Sequence, residues 1–89
     1  MDQDTLKELN ARADAAAGAE GAGASVTVED LMPSEVRPVG LRITLTVFAI
    51  VGGVLREEGK SYRPDREDLG AVLEMDAREM ARGLFTVRY

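Results

Sequence analysis

The sequence predicts a mainly α fold: a small helical bundle that admits one or two short strands and ends in two short helices packed across a tight turn. Three observations carry that prediction. Asp65 to Leu84, DREDLGAVLEMDAREMARGL, places apolar residues at Leu69, Val72, Leu73, Met75, Met80 and Leu84, with Asp76 where a second helix would begin. Ile43 to Leu55 carries an apolar stripe at helical spacing. Asp4 to Leu9 opens with the acidic first turn expected of a helix start.

At 89 residues the chain is one small domain. A domain of that size buries only about 60% of the surface of its unfolded chain, so its stability is modest without a partner or a second copy. Cysteine and histidine are both absent. That excludes disulfides and thiolate metal sites, and it removes the commonest general base and metal ligand, so the expectation is a protein that is not an enzyme. No D-x-D-x-D-G calcium loop appears, and no metal or cofactor is expected. The net charge is −5. Residues 1–40 hold three basic side chains (Lys7, Arg12, Arg37) against eight acidic ones, and residues 41–89 hold eight of each. Such a balance exerts no general pull on nucleic acid. The opening MDQDTLKELN is acidic and has no apolar run, so no secretory signal is visible. Ile43 to Leu55 is shorter than the roughly 20 residues that span a bilayer. A cytoplasmic protein without a membrane partner is the expectation.

In chain order, Leu6, Leu9 and Ala13 follow Asp4 at helical spacing, as a frayed tail helix or a short amphipathic segment for a partner. Ala15 to Ser25, AAAGAEGAGAS, has no large side chain and reads as a linker, which makes residues 1–25 a flexible acidic arm and residues 26–89 the domain. Ser25 to Val28 is a short strand, or else Thr27 caps a helical turn through Met32. Pro33 and Pro38 bracket a connector. Val39 to Glu58 is ambiguous. Leu41, Ile43, Leu45 and Val47 alternate as in a strand, but the alternation fails at Phe48-Ala49-Ile50-Val51. Ile43, Val47, Ile50, Val51, Val54 and Leu55 form a helical stripe that runs to Arg56-Glu57-Glu58. Gly52-Gly53 opposes the helix and suits a two-residue hairpin turn. Length and stripe favour helix, with the hairpin as alternative.

Gly59 to Pro64 is a loop. Asp65 caps a helix with Asp68 three residues on, and Asp76-Ala77-Arg78-Glu79 is a capping box that starts a second helix near Ala77. Leu84 to Tyr89 alternates like a strand. Gly52-Gly53 lacks the spacing of a phosphate loop, and Ser34 and Ser61 have no base to activate them. The adjacent pairs Glu57-Glu58 and Glu67-Asp68 point apart, which suits solvation better than acid–base work.

Leu69, Leu73, Met75, Asp76, Met80 and Leu84 resemble the helix-turn-helix unit of bacterial and phage DNA-binding proteins, and GKSYRPDREDL looks like the entry to its first helix in some winged helix-turn-helix proteins. The resemblance covers about residues 43–84, with the unit itself at 65–84. It departs from the family at Glu74, where glycine is usual, and at Gly70, where alanine is usual. The resemblance implies a small DNA-binding regulator that inserts its second helix into the major groove. Arg78 and Arg82 would then reach guanine edges or phosphates, beside Ala77 and Ala81, with Arg63 and Arg66 from the first helix. Neighbouring carboxylates allow a second reading, in which Arg78 and Arg82 pair with Glu74 and Glu79 on a solvated face. The alternative function is a non-catalytic protein-interaction module, an adaptor or docking domain that includes the case of an acidic inhibitor imitating nucleic acid. Its partner would be another protein or a second copy.

Overall fold

The computed structural model describes residues 3–31 and 40–86. The element order is α1 (Gln3–Gly18), β1 (Gly23–Leu31), β2 (Gly40–Val51), β3 (Val54–Tyr62) and α2 (Leu69–Phe85). The strands form one antiparallel sheet in the order β1-β2-β3. Both helices pack on one of its faces. This α+β architecture overturns the mainly α prediction.

The alternation in β2 explains the sheet. Ile43, Leu45 and Val47 are completely buried and Ala49 nearly so, while Phe48 and Ile50 face outward. The period of two therefore continues through Phe48-Ala49-Ile50-Val51; it was hidden because the outward residues there are also apolar. Gly52 and Gly53 take φ of +59° and +80°, the left-handed pair that a two-residue type I′ hairpin turn requires. The helix expected over 41–58 is thus the β2–β3 hairpin, with Val51 opposite Val54 and Ile43 opposite Tyr62. The helical stripe arose because a run of aliphatic residues satisfies either period. β1 adds Ala24 opposite Val47 and Val26 opposite Leu45 on the same buried face.

Residues 3–18, within the stretch expected to be an arm and linker, form α1. Its inner face is Leu9, Ala13, Ala16 and Ala17. α2 contributes Leu69, Val72, Leu73, Ala77, Ala81 and Leu84 to the same core. Arg12 pairs with Glu74 at 2.7 Å and Glu20 with Arg82 at 3.0 Å, so the helices run side by side in the same direction. The connector containing Pro33 and Pro38, and the last part of the strand-like Leu84 to Tyr89 alternation, lie outside the described residues.

The helix-turn-helix expected at 65–84 does not form, because Leu69–Phe85 is one continuous helix. Nothing between those residues breaks it: Glu74 stands where a left-handed glycine would be needed, and among the described residues only glycines take positive φ. The carboxylate of Asp76 does not cap a helix. It accepts hydrogen bonds from the Tyr62 hydroxyl at 2.5 Å and from Lys60 Nζ at 3.0 Å.

Leu73 is completely buried, so Leu73→Ala should lower the unfolding free energy by about 3 kcal/mol in urea titration. The same change at Met75, which is exposed in α2, should cost less than about 0.5 kcal/mol.

Candidate interaction surface

The two edges of the sheet are treated differently. On β1, the Ala24 N–H donates to Asp14 Oδ1 at 3.1 Å and the Val26 N–H to Asn10 Oδ1 at 2.9 Å. Two side chains of α1 therefore satisfy the outward amides of the first half of that strand and block further pairing there. Among the described residues, β3 has no such cover. Eight of its nine residues are exposed, and only Tyr62 is buried. Its orientation follows from β1. An antiparallel residue turns its N–H and C=O to the same side. Since Ala24 and Val26 point away from β2, Val47 and Leu45 opposite them point toward β3. Glu58 and Lys60 thus bond to β2, and Leu55, Glu57, Gly59 and Ser61 direct their N–H and C=O groups to the open edge.

The hairpin also overhangs. β1 begins at Gly23 opposite Phe48, so β2 runs on to Val51 without a neighbour on that side. The overhang consists of two strands only. Its side chains include Ile50, Val54 and Leu55, exposed to 73%, 61% and 62%. Two further apolar rings lie at this end. Phe48, 39% exposed, lies across Gly23, where a Cβ would approach its ring to 2.6 Å. Phe85, 40% exposed, lies over Gly21, 3.7 Å from where a Cβ would stand. Arg56 Nη1 donates to the Leu84 carbonyl at 3.2 Å and holds the end of α2 against β3. One end of the molecule thereby presents Phe48, Ile50, Val54, Leu55 and Phe85.

At the other end of β3, Asp76 anchors α2 to the sheet. Burial pushes its carboxyl up, but the hydrogen bonds from Tyr62 and Lys60, with the charges of Lys60 and Arg66, outweigh that and hold it below the usual carboxylate range. Burial first, then the hydrogen bond to Asp76, pushes the Tyr62 hydroxyl above its ordinary value. The Lys60 ammonium also lies 5.7 Å from the centre of the Tyr62 ring. This is a structural network, with nothing in it to activate a nucleophile.

The residues expected to contact DNA are dispersed. Ala77 and Ala81 are completely buried in the core, so their side chains do not face solvent. Arg82 is paired with Glu20 of α1, and Arg66 with Asp68 at 2.6 Å. Glu74, the expected partner of Arg78, is instead paired with Arg12. Arg78 and Arg63 are exposed, on α2 and on the turn before it respectively. A shallow trough of about 430 Å³ lies between the helices, lined by Ala11, Arg12, Ala15, Ala16, Glu74 and Arg78. Among the described residues no cluster of three or more acidic side chains is placed to hold a metal ion, and no helix is long and apolar enough to cross a membrane. The overhanging apolar side chains were visible in the sequence only as part of a hydrophobic run. Their signal was Gly52-Gly53 together with apolar residues on both parities of the strands. Comparison with protein-family models, with curated proteins and with solved structures finds no match to this chain.

Asp76→Asn should cost about 1–3 kcal/mol in chemical denaturation, because Lys60 and Tyr62 lose a charged acceptor. The sign of the pH effect follows from the depressed carboxyl. Its stabilisation is present above the ordinary carboxylate range and is lost as pH falls through the lower folded value, so the variant should show a shallower stability decline below about pH 4 than the wild-type chain.

Proposed function

We infer that this chain is a non-catalytic protein-interaction module that docks another protein through the overhanging end of the β2–β3 hairpin. One observation carries the reading: Ile50, Val54 and Leu55 stand largely exposed on a two-stranded projection that extends past the start of β1. A two-stranded hairpin alone is marginal in water, and large apolar side chains grouped at the surface mark contact sites. The aromatic rings of Phe48 and Phe85 beside them are of the kind that anchors protein interfaces. The charge distribution favours the same reading. Arg66 and Arg82 are each tied to a carboxylate, and the chain is acidic overall, so no basic stripe of the kind that tracks a phosphate backbone forms on the described surface.

A photo-crosslinking residue placed at Ile50 or Leu55 in the source cells should capture the same protein, while one at Glu79 on α2 should not. Ile50→Asp should reduce capture from Leu55 at least tenfold with an unchanged circular-dichroism spectrum. The opposite pattern would overturn the reading: no capture from the hairpin, together with duplex DNA binding at about 50 mM salt that is lost by about 200 mM.

A further inference from the structure

We propose that the open edge of β3 pairs with β3 of a second copy, joining two three-stranded sheets into one six-stranded antiparallel sheet about a two-fold axis at Gly59. The proposal rests on the reading of the chain as an interaction module and adds a second surface, separate from the hairpin tip. Asn10 and Asp14 close the Ala24–Val26 part of the β1 edge, whereas β3 has no such cover along its length among the described residues. Its outward N–H and C=O groups, on Leu55, Glu57, Gly59 and Ser61, match those that a pairing strand uses.

The register follows from charge. A two-fold axis normal to the sheet keeps each face continuous, so opposed residues come from the same face. Centred on Glu57 or Glu58, the pairing sets a carboxylate against its own copy. Centred on Arg56 or Lys60, it sets a cation against its own copy. Centred on Gly59, it sets Glu58 of each chain opposite Lys60 of the other, twice, with no like pair. Lys60 has a half-exposed side chain with donors beyond the one that Asp76 uses. Glu58 makes no ion pair among the described residues. The same register matches the backbone. Glu57 faces Ser61, Gly59 faces Gly59 and Ser61 faces Glu57, a ladder of about six main-chain hydrogen bonds.

Gly59 suits that register. Its φ is not positive, and a Cβ there would meet only the Leu45 carbonyl oxygen at an ordinary 3.7 Å. Nothing within the chain requires glycine at this place in a strand. A glycine there leaves this point of the edge without a side chain, so a second strand meets no obstruction at the axis.

Sedimentation velocity up to about 200 µM should show a concentration-dependent dimer. Glu58→Lys, which opposes two ammonium groups at each side of the axis, should weaken it at least tenfold at low salt, and Glu79→Lys on α2 should not. Gly59→Pro removes an N–H that β2 does not use and should give a folded monomer by thermal melt. In the wild-type chain, the amides of Glu57, Gly59 and Ser61 should gain hydrogen-exchange protection as concentration rises, a measurement that does not depend on any variant folding. A monomer throughout that range would overturn the proposal, as would a dimer unaffected by Glu58→Lys with no added protection at those amides. Ile50→Asp, on β2 and off the open edge, should leave the dimer intact. Loss of partner capture and loss of self-association are therefore read separately.

Discussion

Two helices must share a buried sheet face only three strands wide, and the rest of the structure depends on how closely they can approach. Three strands spaced about 4.8 Å apart leave the outer pair roughly 10 Å from each other, the usual distance between a single pair of helix axes. Ala13 and Ala17 of α1 and Ala77 and Ala81 of α2 are all completely buried. Their small side chains let the helices lie close together over β1 and β2. The larger core residues, Ile43, Leu45, Val47 and Leu73, fill the layer beneath. The alanine-rich stretch that looks too small to hold a core is what lets α1 enter it. The consequence falls on β3, which keeps only Tyr62 in the core and turns most of its length to solvent.

Asp76 fastens the half of the sheet that the helices cover least. It stands in mid-helix, where aspartate gains little from the backbone, and its carboxylate is taken by Tyr62 and Lys60. A local capping interaction and a tertiary one competed for the same group. The tertiary one supplies two partners, one of them charged, against the single backbone amide that a cap would satisfy. It also joins residues far apart in the chain, so α2 stays whole and is tied to the far end of β3.

The two edges show opposite treatments of one hazard. Free strand amides invite pairing with other chains, and β1 meets that with Asn10 and Asp14 from the neighbouring helix. Among the described residues β3 and its overhang receive no comparable cover, although the overhang carries the exposed side chains of Ile50, Val54 and Leu55. Such an asymmetry within one small sheet is the pattern of an edge kept for use, and the two proposed contacts, with a partner and with a second copy, both fall on this hairpin.

By itself the sequence determined the polarity of the chain, the absence of thiol and imidazole chemistry, the helical face of Leu69 to Leu84 and the apolar weight of Ile43 to Leu55. These depend on residue identity and local spacing, so they are legible without a fold. Whether Ile43 to Leu55 became helix or hairpin was not legible, because Ile, Leu and Val there satisfy both periods, and only the left-handed Gly52-Gly53 turn and the pairing with β1 separate them. The candidate surface was hidden for a related reason. Ile50 and Leu55 read as core until the sheet is seen to turn them to its open face, away from the helices, and Val54 until β1 is seen to start opposite Phe48. Asp65 to Leu84 shows the same division. Leu69, Val72, Leu73 and Leu84 are buried as expected while Met75 faces solvent, and the break at Asp76 depended on where that carboxylate finds its partners, since Tyr62 and Lys60 reach it only after β3 has folded against α2.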